Sequence, residues 1–265
     1  MTELCFNAFN HSVYLGVEPD LPSQIDAAAD AGFRLFGPDR FTLDAWVAAG
    51  HRLEDLAKQM ERRDLRCGEI AACVFLAERE RSLIEAENAA RLAKALRPTW
   101  VQINAGVAFD SQSGETLERI CDLIVPTGAR VAIEYLPYIA VNNIATTRAF
   151  VEHVGTDRAG ILVDSWHHFR GPDTYTELEA LPLEYIAYVQ FDDALPIVGE
   201  DMAHETLHRR AMPGDGEFDL GGFCQRLRQK GYDGIVSVEV ISAEWRARPL
   251  REFISRAYAC SRAYW

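Results

Sequence analysis

The sequence predicts an α/β chain closed into a (β/α)8 barrel, the TIM-barrel architecture, and three observations carry that expectation. The length of 265 residues exceeds the common domain size but matches the roughly 250 residues of one such barrel. Short β-branched or aromatic runs alternate with longer helical patterns from end to end, with no Pro/Gly/Ser-rich linker between them. Oxygen-bearing side chains also stand at or near the ends of several apolar runs in the second half of the chain, where a barrel would bring them to one mouth. Residues 1–265 are therefore expected to form a single barrel domain.

The expected strands are Leu4–Phe9, Arg34–Phe36, Cys67–Phe75, Trp100–Ile103, Arg130–Tyr135, Gly160–Asp164, Tyr185–Phe191 and Ile235–Val240. Helical patterns fall between them at Leu21–Gly32, Thr42–Arg63, Ser82–Leu96, Glu115–Val125, Asn142–Val154 and Phe218–Lys230. Gly32, Gly128 and Gly231 stand where left-handed caps end helices. The phrases Asp30-Ala31-Gly32-Phe33 and Lys230-Gly231-Tyr232-Asp233-Gly234 read as the αβ turns of the lower rim. An open doubly wound sheet uses the same alternation. Against it, no G-x-G-x-x-G or P-loop follows the first strand, and the polar strand ends are spread along the second half rather than gathered at one switch point.

Composition narrows the function. With 48% hydrophobic and 25% charged residues the chain has the make-up of an ordinary folded protein. A net charge of −13 and a pI near 5.0 argue against nucleic acid, whose binding draws on clustered Lys and Arg, and favour a small-molecule ligand. No basic segment leads into an apolar run at the start and no apolar run approaches bilayer length, so the expectation is a cytoplasmic protein with no membrane partner. A homo-oligomer is compatible with the sequence. Cys5, Cys67, Cys73, Cys121, Cys224 and Cys260 show neither C-x-x-C spacing nor disulfide-scaffold density, so reduced, buried thiols are expected.

Four apolar strands carry the chemistry: Val131-Ala132-Ile133-Glu134, Ile161-Leu162-Val163-Asp164, Ile186-Ala187-Tyr188-Val189-Gln190 and Val236-Ser237-Val238-Glu239. A lone buried carboxylate costs several kcal/mol, so three of them imply cations, and one divalent ion held by Glu134, Asp164, Gln190 and Glu239 would serve all. The oxygen-rich set suits Mg2+ or Mn2+, with Co2+ or Zn2+ as alternatives. The competing reading is a salt-bridged ring in which Arg130 or Arg210 pairs with Glu134 and Glu239. The segment Asp164–Gly171 is expected as a functional loop. In it His167 suits metal ligation, substrate contact or proton transfer, while His168 is a secondary candidate more typical of packing. Trp166, with Phe36 and Phe191, would form an apolar wall for substrate. Arg210, before the tight turn Pro213-Gly214-Asp215-Gly216, suits a substrate oxyanion or carboxylate.

In order along the chain, Ile133-Glu134, Asp164-x-x-His167, Val189-Gln190-x-x-Asp193, Arg210-x-x-Pro213-Gly214-x-Gly216 and Ser237-x-Glu239 resemble the xylose-isomerase-like barrel superfamily. That group includes sugar isomerases and epimerases, inosose dehydratases and endonuclease IV-type enzymes. The resemblance implies that Glu134, Asp164, Gln190 and Glu239 bind the metal while His167 and Arg210 contact substrate. Many of its epimerases carry histidine at the Gln190 position, and the glutamine is similar to bacterial 3-dehydroshikimate dehydratases. A basic residue for the shikimate carboxylate is missing from Cys67–Cys73. Nuclease activity is not expected, since the acidic chain lacks the histidine-rich zinc set.

The expected function is a metal-dependent isomerase or epimerase acting beside a carbonyl of a ketose, sugar phosphate or inosose, with Glu134 and Glu239 on opposite substrate faces. Dehydration of a cyclic hydroxyketone, with His167 protonating the departing hydroxide, is the alternative. A non-catalytic binding barrel is the third reading.

Overall fold

The computed structural model describes residues 2–265. Its strands are β1 (Glu3–Asn7), β2 (Leu35–Gly37), β3 (Arg66–Cys67), β4 (Glu69–Leu76), β5 (Trp100–Ala105), β6 (Arg130–Glu134), β7 (Ala159–Asp164), β8 (Ile186–Phe191), β9 (Asp193–Ala194), β10 (Arg210–Ala211) and β11 (Ile235–Val238). Nine form one parallel sheet in the order β3-β2-β1-β11-β8-β7-β6-β5-β4. Its two ends, β3 and β4, are a single expected strand broken at Gly68, so the sheet curls into a barrel. Main-chain bonds seal the junction: Gly68 donates to the Phe36 carbonyl at 3.1 Å and Ala71 to that of Pro38 at 2.9 Å. The eight-stranded expectation holds, with its third strand in two pieces.

The wrapping helices are α1 (Leu21–Ala31), α2 (Arg40–Ala48), α3 (Leu53–Arg62), α4 (Arg79–Leu96), α5 (Ser111–Ile124), α6 (Ile144–Val154), α7 (Ser165–Arg170), α8 (Tyr175–Ala180), α9 (Met202–His208), α10 (Leu220–Gln229), α11 (Ala243–Arg246) and α12 (Leu250–Arg262). Asp20, Asp39, Asp110, Asn143 and Asp219 cap α1, α2, α5, α6 and α10 by accepting backbone N–H bonds. Gly32 and Gly128 end α1 and the short turn after α5 with φ of +106° and +94°. The buried faces of the helices and the outer face of the sheet share one continuous core. Trp100, Ala132, Leu162 and Tyr188, from four successive strands, form a separate cluster. Among the described residues no helix is long and apolar enough to cross a membrane.

Several local expectations are corrected. The helix expected over Thr42–Arg63 is two helices, because Gly50 takes a left-handed φ of +87° that ends the first. The strand expected to run to Phe9 stops at Asn7, whose side chain accepts from the Phe9 N–H at 2.9 Å and starts a 3-10 turn. The loop expected after Asp164 is the helix α7, since the Asp164 carboxylate caps its first turn by accepting from the His167 N–H at 3.0 Å. The antiparallel pair β9/β10, the helix α9 between them and the terminal α12 were not expected at all. All six cysteines are free thiols, five of them buried.

Candidate active site

Parallel register brings the candidate residues level. Asn104 pairs with Glu134, Asp164 with Gln190, and Gln190 with Ser237, so each polar side chain stands at the C-terminal rim of its strand. Glu239 follows β11 by one residue and is reached from β1, where Asn7 donates to its Oε1 at 2.9 Å. Glu134, Asp164, Gln190 and Glu239 thus come from neighbouring strands, and all four are buried.

Each of them has defined partners. Glu134 Oε2 accepts from Gln102 at 2.6 Å and Asn104 at 2.7 Å, and His167 Nε2 stands 3.4 Å from its Oε1. Donor atoms of Glu134, Asp164 and His167 all lie within 4.8 Å of one another, the spacing of a metal-holding group. Gln190 donates to Glu239 Oε1 at 3.1 Å, while its own Oε1 is buried without a hydrogen-bond partner. An orphaned buried amide oxygen beside three carboxylates is an acceptor suited to a cation. The residues present therefore fit a divalent ion, with His167 nearer to the group than the sequence set implied.

A cation of the protein itself also reaches the mouth. Arg210, buried on β10, directs Nη1 to Asp164 Oδ2 at 2.8 Å, to Glu239 Oε2 at 3.1 Å and to Asp192 Oδ2, while Nε and Nη2 bond Thr206. The salt-bridge reading is thus present in part, through Arg210; Arg130 instead stacks over Trp100, 4.1 Å from its centroid. These contacts order the acids. Burial opposes ionisation of Asp164, but Arg210 and the His167 N–H outweigh it and hold the carboxyl below the usual range. Burial pushes Glu239 and Asp192 well above that range despite Arg210, with Glu134 and Asp164 adding repulsion at Glu239.

The mouth opens into a cavity of about 440 Å³, within the usual range for small-molecule sites. Glu134, His167, Arg210, Glu239, Gln102 and Asn104 line its polar side, and Phe9, Tyr14, Phe41 and Ile241 its apolar side. A larger cleft of about 900 Å³ lies at the opposite rim, beside Arg91, Lys94 and Pro126, away from these acids.

Two expected substrate residues lie elsewhere. The His168 imidazole is buried against Tyr175, Phe223 and Phe169, and burial lowers its pKa to about 4. Trp166 is buried beneath the rim, with Arg210 5.7 Å from its ring and His167 edge-on at 5.2 Å. The apolar wall expected from Phe36, Trp166 and Phe191 is not the cavity's: Phe36 packs on Phe6, and Phe191 on Tyr264 and Trp265. Sequence reasoning missed Asn7, Gln102 and Asn104, and it placed Asp192 after the seventh strand without a role. The first three sit on apolar strands, Asn7 and Asn104 near the ends and Gln102 in mid-strand, and the rule that singled out Glu134 and Gln190 would have found Asn7 and Asn104 had it been carried to the strands of the first half.

Residues 25–258 match the family described as the xylose isomerase-like TIM barrel. The chain is 26% identical over 224 residues to the inosose isomerase of Halalkalibacterium halodurans, taking in 78% of each protein. It is 28% identical over 251 residues to the 3-dehydroshikimate dehydratase of Pseudomonas aeruginosa, covering 87% of this chain but 38% of that protein. Among solved structures, the IolI protein with a bound zinc atom superimposes with a TM-score of 0.87 at 21% identity, over 99% of this chain and 98% of that one.

Proposed function

The chain belongs to the xylose isomerase-like TIM barrel family, and on that premise we propose that it is a divalent-metal-dependent isomerase or epimerase acting beside the carbonyl of a polyhydroxylated substrate. The observation that carries the reading is the buried group of Glu134, Asp164 and His167, within 4.8 Å of one another, of which Glu134 and His167 line the cavity. The inosose isomerase relative and the zinc in the IolI structure support it. Glu134, Asp164, Gln190 and Glu239 would hold the ion. Asp164 and Glu239 already converge on one cationic atom, Arg210 Nη1; Asp192 would retain that atom, and Thr206, which accepts from Nε and Nη2, would retain the rest of the guanidinium. Bound there, a divalent cation would polarise the substrate oxygen and stabilise the negative charge that develops on it.

The protein's own groups move the proton. Glu134 and Glu239 reach the cavity from strands separated by β7 and β8, so they address a bound substrate from different sides. One carboxylate removes the proton from the carbon next to the carbonyl, and the C–H electron pair moves toward the oxygen. Return of a proton by the other carboxyl completes the isomerisation. Arg210 and His167 orient substrate oxygens at the rim.

A second reading, dehydration of a cyclic hydroxyketone, is favoured by Gln190 and by the dehydratase relative. There the same electron pair expels a β-hydroxyl, which His167 protonates so that it leaves as water.

Elemental analysis of mildly purified protein, with melts before and after chelation, tests the shared premise. About one ion per chain, a Tm that falls on chelation and recovers with Mn2+ or Mg2+, and loss of turnover in a folded Glu239→Gln variant are expected. Turnover of ketoses, inososes and 3-dehydroshikimate in heavy water then separates the two: deuterium uptake without loss of mass marks the isomerase, and loss of one water marks the dehydratase. A metal-free protein, or a Glu239→Gln variant with full activity, would sink both.

A further inference from the structure

The cavity has a second charged wall that the chemistry above leaves unused. Arg40, the first residue of α2, lines it together with the carboxylates. Its side chain is four-fifths buried, at 20% exposure, and its guanidinium carbon lies 4.3 Å from the Phe41 ring centroid. Arg40 Nε donates to the Ala72 carbonyl at 3.2 Å. The nearest carboxylate, Asp44, pairs with Nη1 at 3.5 Å, longer than a charge-assisted hydrogen bond, and both its oxygens also accept from Asn88, at 2.9 and 3.2 Å. A structural arginine of this burial ordinarily saturates its fork on a carboxylate, whereas the outer edge of this one stays available to a planar or tetrahedral anion. The other cation of this wall, Arg81, is 73% exposed and paired with Glu85 at 3.2 Å.

The backbone beneath Arg40 is a second, independent observation. Ala72 has φ +54°, a left-handed conformation that strains a non-glycine residue and collects at functional sites. It falls where the β4/β5 register shifts between Ile70 and Val74. This conformation serves two cavity groups at once. The Ala72 carbonyl takes Arg40, and its N–H donates at 3.0 Å to Gln102 Oε1, while Gln102 Nε2 donates at 2.6 Å to Glu134. One strained residue therefore holds the arginine and the proton-transfer carboxylate in a single frame.

We propose that Arg40 is the specificity-determining residue of this cavity and that the substrate carries a carboxylate or phosphate at the end remote from its reacting carbonyl. The aromatic ring of Phe41 covers one face of the guanidinium, and the anion approaches its free edge. The proposal rests on the reading of this cavity as the active site, and it supplies from α2 the basic group that Cys67–Cys73 does not.

Equilibrium binding of inert probes separates the proposal from the catalytic reading. Calorimetric Kd values for shikimate (carboxylate), ribitol 5-phosphate (phosphate) and ribitol (neutral) are measured with the intact protein, with and without Mn2+. At least one anionic probe is expected to bind about ten-fold tighter than ribitol or better, and which one does so distinguishes the two sources of charge. In Arg40→Gln, which keeps a donor for the Ala72 carbonyl but drops the charge, the anionic-to-neutral ratio falls at least five-fold. Arg40→Lys, which keeps the charge without the fork, retains an intermediate ratio and serves if the glutamine variant does not fold. Equal affinity for all three probes, or a ratio untouched by both variants, overturns the proposal whatever the metal content proves to be. A ratio that responds to Arg40 in a protein that binds no metal upholds the anion site and sinks the metal chemistry alone.

Discussion

Glu69 shows how far a single residue can depart from its ordinary chemistry inside the barrel. It has no exposed surface, Ser237 donates to its Oε1, and the Tyr188 hydroxyl also bears on the carboxylate. Burial, with Glu134 adding repulsion, raises its pKa from 4.5 to about 7. A carboxyl whose folded pKa is raised keeps its proton in the folded state while the unfolded chain loses it. Its stabilising contribution is present below pH 4.5 and is lost as pH rises through about 7. His11 and His168, lowered to about 4 by burial, act in the opposite sense between pH 4 and 6.5. The difference between two proteins that share them isolates Glu69. In chelator, Glu69→Gln is expected to gain stability over the native chain by on the order of 3 kcal/mol between pH 4.5 and 8, read from urea midpoints. A pH-independent difference would show that Glu69 titrates normally. Nothing in Cys67-Gly68-Glu69-Ile70 marks it as internal to the barrel except its place on an apolar strand, and that same signal did identify Glu134 and Asp164. Gln190 was legible in this way too, and a pairing of Arg210 with Glu239 stood among the sequence readings; that the same guanidinium also takes Asp164 and Asp192 was not legible, because those contacts join residues 46 and 18 positions apart.

Among the elements, the hairpin β9/β10 decides where Arg210 points. Two of the sequence motifs, Gln190-x-x-Asp193 and Pro213-Gly214-x-Gly216, are halves of one device. The Asp193 carboxylate accepts from the N–H groups of Ala194, Gly214, Gly216 and Phe218 at 2.8 to 3.1 Å. Gly214 is left-handed, with φ +92°, and a methyl group at Gly216 would overlap Asp193 Oδ1 and the Ala194 carbonyl. Residues 213–216 were legible as a tight turn, but their partner was not, since a turn signal is local and the acid that accepts its N–H groups is not. Asp193→Ala is expected to destabilise the protein by about 3 kcal/mol through four unsatisfied donors. Because β10 pairs Arg210 with Ala194, turnover on the best substrate should fall at least ten-fold in the folded fraction. Unchanged kcat/KM in that variant would detach the hairpin from the site.

At the scale of the whole molecule the barrel depends on contacts between its two ends. β1 pairs with β11 from Glu3↔Ile235 to Phe6↔Val238, and α12 packs across both. Phe253 of α12 is fully buried, 6.2 Å from the Phe6 ring and 4.7 Å from that of His11. Phe253→Ala should cost about 3 to 5 kcal/mol, visible as a lower urea midpoint with an unchanged slope. A loss under 1 kcal/mol would mean that α12 is not part of the cooperative unit. This helix went unread in the sequence although its apolar face is present at Phe253, Ile254 and Ala257, because Trp245–Arg251 interrupts the βα alternation from which the other helices were inferred.

The sequence by itself determined the barrel, its eight strands and the chemistry of the rim, since strand periodicity and the cost of burying carboxylates act within a few residues of one another. Tertiary structure alone decided the company each rim residue keeps. The pairing of Arg210 with Asp164 and Asp192, the cradle of Asp193, the withdrawal of His168 and Trp166 from the cavity, and the placing of Arg40 above the strained Ala72 all join separate strands and helices. Such contacts exist only once parallel register and closure of the ring have set the rim in three dimensions, and no local pattern encodes the distance between two strand ends.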